Sequence, residues 1–222
     1  MDIKVKNAIT SGVITYAKIE DLDSSAVLSK LETVFDNETA FMDKVAEMDR
    51  IFDDNQQFEE LREVCFDLLM INFFAEDVQK LEEDYLESDE WESIEEETLD
   101  RGTELLNVFL YLRECTDAEV QPSLEDYLKE FLLVEEDEFQ DEYRIYEQVI
   151  ANQILVESDY SEIAKVANTV RPDEELYELF YPLVAFFYEP KPTEGQVDEF
   201  GRYASNKSLE ISLYEMIINF NK

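Results

Sequence analysis

The sequence predicts an all-α fold, a multi-helix bundle or irregular helical array of about nine to eleven amphipathic helices. Three observations predict it. Apolar residues recur every three or four positions along most of the chain, and residues that start helices stand between these stripes. Hydrophobic residues also make up 45 % of the 222 residues, including 15 Phe and 12 Tyr. Burial of these residues is expected to offset the conformational entropy lost on folding, so we expect the chain to fold despite a net charge of −38.

The first 23 residues are the exception to the helical pattern. Ile3, Val5 and the run at residues 13–16 fit short strands as well as a first helix, and Gly12 is expected to mark a break. A short β or irregular segment at the N-terminus is therefore one alternative, and a first helix is the other.

Residues 24–115 are predicted to form a helical subdomain. Ser24 offers an N-cap for its first helix and Asn37 for its second. The third is expected to be central, because it is apolar on much of its circumference. The stripes of these three helices are Val27, Leu28, Leu31, Val34 and Phe35; Phe41, Val45, Met48 and Phe52; and Phe58, Leu61, Val64, Cys65, Leu68, Leu69 and Ile71.

A joint is predicted at residues 116–122, followed by a second helical subdomain at 123–222 that either stands apart or merges with the first. Pro122 and Ser123 are a helix starter and a cap.

Further signals divide the second half of the chain. Pro172 is predicted to open a helix that Pro182 kinks. Thr193 and Gln196 match a capping box. A final amphipathic helix is predicted over residues 209–220.

The negative charge is concentrated in the middle of the chain. Residues 51–100 carry a net charge of −17 and residues 101–150 one of −10, so these hundred residues hold −27 of the −38. Solubility alone would not require such a gradient, whereas a binding face would. The densest part, residues 76–100, contains thirteen acids and one base, Lys80, together with apolar residues at helical spacing.

Residues 76–100 are predicted to form one or two amphipathic helices with an internal cap at Ser88 and Asp89. As helix, the stretch would carry about one carboxylate per 2.9 Å of axis. Duplex DNA carries one charge per ~1.7 Å, or per ~3.4 Å for each strand. The charge density is thus of nucleic-acid order.

The candidate partner-binding residues are acids in two banks. In the first bank, Glu83, Glu87 and Glu90 would share one helix face, and Glu92 with Glu96 would form a pair. Trp91 either fills the core or anchors the interface. The full set is Glu82, Glu83, Asp84, Glu87, Asp89, Glu90, Glu92, Glu95, Glu96, Glu97 and Asp100 in the first bank, and Glu135, Glu136, Asp137, Glu138, Asp141 and Glu142 in the second.

Most signatures of catalytic sites are missing from the sequence; a pair of carboxylates alone can catalyse glycoside hydrolysis, but among 56 acids no pair stands out. It contains no histidine, which is the commonest general base and metal ligand. No two of its four glycines are close enough to form a phosphate loop. Cys65 and Cys115 lack zinc or redox spacing and are expected to be buried thiols. We therefore expect neither an enzyme nor a bound metal or cofactor.

The N-terminus lacks the apolar core of a signal peptide, and no apolar run is long enough to span a membrane. A cytoplasmic protein is expected. So negative a surface would also be repelled by nucleic acid and by anionic lipid, which leaves a basic protein as the expected partner.

Three functions fit these features. The first is inhibition of a nucleic-acid-binding protein by imitation of the charge of DNA or RNA, a general character shared by acidic proteins of phages and mobile elements. The second is an immunity-type or adaptor protein that caps the basic cleft of a toxin or enzyme. The third is a helical scaffold whose charge only ensures solubility. Imitation requires two ribbons of carboxylates about one duplex width apart, a cap requires one compact patch, and a scaffold predicts evenly scattered acids.

Overall fold

The computed structural model describes residues 1–76, 88–135, 138–139 and 144–222. These parts of the chain contain twelve α-helices and one antiparallel pair of short strands, β1 (Leu133–Glu135) and β2 (Glu138–Phe139). The all-α class is therefore confirmed. The helices are α1 (Ile3–Ile19), α2 (Ser25–Asp36), α3 (Phe41–Asp54), α4 (Arg62–Glu76), α5 (Asp89–Thr98), α6 (Leu105–Asp117), α7 (Leu124–Leu132), α8 (Glu147–Ala151), α9 (Tyr160–Ala167), α10 (Phe180–Tyr188), α11 (Glu194–Tyr203) and α12 (Lys207–Phe220).

The N-terminal segment is a helix, so the strand alternative was wrong. The Asp2 carboxylate begins α1 by accepting hydrogen bonds from the backbone N–H groups of Lys4 and Val5. Gly12 lies inside α1 and does not break it. A Cβ at this position would stand 2.1 Å from the terminal methyl group of Met216. The glycine therefore lets α1 approach α12 closely.

Helices α1 and α12 pack along each other at the centre of the fold, and α4, α6 and α10 pack against this pair. The buried apolar side chains form one cluster that includes residues from both halves of the chain, from Val5 to Phe220. The division into two subdomains stays a prediction. The predicted joint is crossed by Tyr111, whose hydroxyl accepts a hydrogen bond from the Ser123 N–H and donates one to the Ser123 carbonyl.

Several helix boundaries differ from those predicted. Ala40, and not Asn37, precedes the first residue of α3. Residues 172–179 form turns, and α10 begins two residues before Pro182. Pro182 therefore lies in the first turn of α10, where a backbone N–H needs no partner within the helix, so the proline removes no hydrogen bond of the helix. A 3-10 helix, Gln56–Leu61, precedes α4.

Other local predictions are confirmed. Ser123 accepts a hydrogen bond from the Asp126 N–H at the start of α7, and Thr193 and Gln196 form the capping box of α11. Cys65 and Cys115 are buried cysteines that form no disulfide. Within the described residues, no helix is both long enough and apolar enough to cross a membrane.

Candidate partner-binding surface

Helix α5 carries the described part of the first acidic bank. Ser88 caps it, as predicted, because its Oγ accepts a hydrogen bond from the Trp91 N–H at 3.2 Å. Ile94 and Thr98 are buried and Trp91 is half-buried, so these three positions form the inner face. The Trp91 ring packs on Phe74 of α4 with its centroid 5.5 Å away. The sequence thus folds α5 as an amphipathic helix with its acids facing outward.

All predicted acids that lie between residues 89 and 100 are exposed. Six of them lie within α5, whose ten residues extend for about 15 Å, or about one carboxylate per 2.5 Å of axis. This density lies between that of a duplex, at ~1.7 Å per charge, and that of a single strand, at ~3.4 Å. The exposed acids are Asp89, Glu90, Glu92, Glu95, Glu96, Glu97 and Asp100.

Among the residues that the structure describes, no Lys or Arg forms an ion pair with these seven carboxylates. The nearby bases are engaged with other acids. Arg62 pairs with Asp49, Asp53 and Glu59, at N–O distances of 3.2, 2.6 and 2.8 Å. The negative charge of α5 therefore remains available to a partner.

Arg101, just after α5, anchors this end of the helix to α3 and α4. Its guanidinium donates two hydrogen bonds to Asp49, at 3.0 and 3.1 Å, while its Nε lies 2.9 Å from Glu63. The same guanidinium lies 4.9 Å from the centroid of the Phe66 ring. Because these charge-assisted hydrogen bonds come from a planar guanidinium, they fix both the position and the orientation of the Arg101 side chain at this end of α5.

The loop after Arg101 is held by a buried carboxylate. Asp67 of α4 accepts hydrogen bonds from the Thr103 N–H at 3.0 Å and from its hydroxyl at 2.5 Å. Burial raises the pKa of Asp67 well above its usual range, the Thr103 hydrogen bonds oppose this shift, and the carboxylates of Glu63 and Glu104 add to it. Gly102 adopts a φ of +86°, and a Cβ there would stand 2.6 Å from Asp67 Oδ1. This turn therefore requires glycine.

An apolar groove runs beside the acids. Trp91, Glu95 and Leu99 follow one another at i, i+4 and i+8, so their side chains line the same edge of α5. Leu99 is 83 % exposed, the most exposed large hydrophobic residue among those described. Acidic and apolar groups thus alternate along this edge.

The floor of this groove comes from the neighbouring helices. The whole groove, which we call the α5 groove, has a volume of about 660 Å³. Glu96 and Arg101 also line it. The floor residues are Phe66, Met70 and Phe74 of α4 and Leu106 and Leu110 of α6.

The remaining predicted residues are placed only in part. Glu82, Glu83, Asp84 and Glu87 lie outside the described residues, as do Glu136, Asp137, Asp141 and Glu142. Only Glu90 of the predicted row of Glu83, Glu87 and Glu90 lies within the described residues, and Ser88, the residue before α5, has extended backbone with φ −81° and ψ 148°. In the second bank, Glu135 ends β1 and Glu138 begins β2, and their Cα atoms are paired across the two strands.

Sequence reasoning missed the residues that support the acids. Asp49, Glu63 and Asp67 come from α3 and α4, and their positions in the sequence give no sign of pairing with residues 101–103. The available signal was Arg101 next to Gly102, a single base and a turn residue directly after the acidic run. Among the described residues, no group of three or more His, Cys, Asp or Glu is placed to hold a metal ion.

Comparisons with protein-family models, curated proteins and solved structures find no match to this chain. Its function is therefore inferred from the arrangement of its own residues.

Proposed function

We propose that the protein binds and inhibits a nucleic-acid-binding protein by presenting the carboxylates of α5 to the basic surface that otherwise holds DNA or RNA. One observation is the main support for this proposal. Seven exposed acids lie on or directly after one anchored helix, and no base of the described residues pairs with them. Their spacing along the axis is of nucleic-acid order.

The charge would act before contact as well as within it. A partner surface rich in Lys and Arg is attracted by the long-range field of a protein with net charge −38, which raises the association rate. Salt screens such a field over about 8–10 Å at physiological ionic strength. Binding is therefore expected to weaken steeply as salt is added.

The anchoring of α5 favours binding because the helix that carries its acids is formed and held in place before the partner arrives. Like charges three or four residues apart on a helix each destabilise it by a few tenths of a kcal/mol. The packing of Trp91 on Phe74 and the hydrogen bonds of Arg101 oppose this repulsion. The backbone entropy of this segment is then lost during folding and not during association.

A second candidate function is a cap on the basic cleft of a toxin or enzyme. The compactness of the α5 patch, with six acids within about 15 Å of axis, favours it, because a cap requires one patch whereas imitation also requires a second ribbon of carboxylates. A cap of this kind occupies a catalytic cleft and need not compete with nucleic acid.

Capture from a nuclease-treated bacterial lysate tests the proposal. The immobilised protein is washed at low and then moderate salt and is eluted with duplex DNA. One prominent nucleic-acid-binding protein released by DNA supports imitation. A basic partner that DNA does not displace overturns imitation in favour of the cap. Release of many abundant basic proteins together at modest salt overturns both and leaves the scaffold function.

A further inference from the structure

We propose that the α5 groove receives an apolar side chain from a basic amphipathic helix of the partner, while Lys or Arg residues of that helix meet Glu95 and Glu96. This inference rests on the proposed function and specifies the chemistry of the partner. It follows from two features that occur side by side, an apolar floor and an acidic rim.

The apolar part of the surface is large enough for a side chain. A volume of about 660 Å³ lies within the range of protein pockets that bind ligands, about 300–1,000 Å³. Phe66 and Met70 at the floor are buried against the core, so the floor is held in place. Leu99 projects at the edge with 83 % of its surface exposed. A partner side chain beside Leu99 would remove apolar surface of both molecules from water.

The rim determines which apolar segment fits. Glu95 and Glu96 line the groove, and no base of the described residues pairs with them. Arg101 also lines it, but its guanidinium is engaged by Asp49 and Glu63. A purely apolar segment would leave the rim carboxylates without a partner, and a purely basic one would leave the groove unfilled. A helix with apolar residues on one face and Lys or Arg beside them satisfies both.

The fluorescence of Trp91 reports directly on whether the groove is occupied. It is the only tryptophan of the chain, it lines the groove, and it is half-buried. When an apolar side chain displaces water from its ring, the emission shifts to shorter wavelength. Binding to the acids alone, away from the indole, would leave the emission wavelength unchanged.

The experiment titrates the full chain with two synthetic peptides of equal charge. One carries Leu and Lys at helical spacing, and the other carries Ser in place of every Leu. We expect the Leu peptide to bind about tenfold more tightly, the effect of burying about one apolar side chain, and to shift the Trp91 emission. The Ser peptide should bind weakly, without the shift.

Two variants localise the effect. Leu99→Ser should lose most of the tenfold advantage of the Leu peptide. Ile154→Ser is the matched control, because Ile154 is 68 % exposed and does not line the groove. Glu95→Gln with Glu96→Gln should weaken the binding of both peptides.

The outcomes separate this inference from the proposed function. If both peptides bind equally and Leu99→Ser has no effect, the groove is not used, although a partner captured through the acids would still support the proposed function. If the Leu peptide binds tightly but the Trp91 emission does not shift, the peptide lies away from the groove and the inference is wrong. If neither peptide binds at low salt, both the groove and the acidic surface are overturned as binding sites.

Discussion

Arg101 and Asp49 lie 52 residues apart in the sequence, yet two hydrogen bonds of 3.0 and 3.1 Å join the guanidinium to the carboxylate. This contact fixes the end of α5 to α3, while Glu63 accepts a further hydrogen bond from the same guanidinium. A guanidinium nitrogen of Arg62 also lies 3.2 Å from the Asp49 carboxylate, so the two arginines share this carboxylate. The most acidic described helix is thus held by one of the few bases nearby.

Replacement of Arg101 by Met should destabilise the protein by about 1–3 kcal/mol, because it leaves Asp49 and Glu63 without this half-buried partner. Urea unfolding measures the change. Arg171→Met is the matched control, since Arg171 also pairs with two acids, Asp173 and Glu174, but is 70 % exposed. The loss of Arg171 should change stability much less, because solvent screens exposed ion pairs. Equal effects of the two substitutions would show that the Arg101 contacts do not hold α5.

Gly102→Ala should destabilise the protein by about 1–3 kcal/mol. The φ of +86° is strained for alanine, and the added Cβ would meet the buried carboxylate of Asp67. Gly195→Ala provides the control, because nothing lies within 4 Å of its Cβ position in α11. That substitution should be neutral or stabilise the protein by up to about 1 kcal/mol. Thermal unfolding of both variants measures the difference. A Gly102→Ala protein as stable as the original would contradict the claim that this turn requires glycine.

Asp67 should make stability fall as pH rises. Burial raises its pKa in the folded state above the unfolded value of about 3.9, so between these two pKa values the folded state binds more protons than the unfolded state. The favourable contribution of the protonated form is present below the unfolded pKa. It is lost progressively as pH rises towards the folded pKa.

Asp67→Asn should therefore flatten the pH dependence of the urea midpoint above about pH 4. Glu199→Gln removes one exposed carboxylate from α11 and controls for the change in net charge. If the Asp67 and Glu199 variants keep the same slope as the original protein, Asp67 does not titrate as its burial implies.

The sequence was sufficient for the parts of this fold that depend on local patterns. The helical stripes, the cap at Ser88 and the outward-facing acids of α5 all follow from the spacing of residues along one helix. The capping box at Thr193 is local in the same way. Such features need no knowledge of what lies across the core.

Features that depend on distant contacts could not be predicted in this way. Gly12 was expected to break a helix, but it serves the packing of Met216, more than two hundred residues away. The joining of Arg101 to Asp49 and the floor of the α5 groove likewise depend on how α3, α4 and α6 meet. Pro182 lies in a first turn, and its surroundings in the sequence also fit a kinked helix.

The most direct test of the acidic surface compares two sets of three charge reversals. Glu92, Glu95 and Glu96 of α5 are replaced by Lys in one variant, and Glu194, Asp198 and Glu199 of α11, which are also exposed, in the other. Both sets change the net charge equally, by two for each residue, so they differ only in position. Circular dichroism checks that both variants keep the helical fold.

Each variant is then assayed for retention of the captured nucleic-acid-binding partner at physiological salt, with a salt titration of the complex. The α5 variant should lose the partner and the steep salt dependence, while the α11 variant should keep both. Equal retention by the two variants would contradict the assignment of α5 as the binding surface.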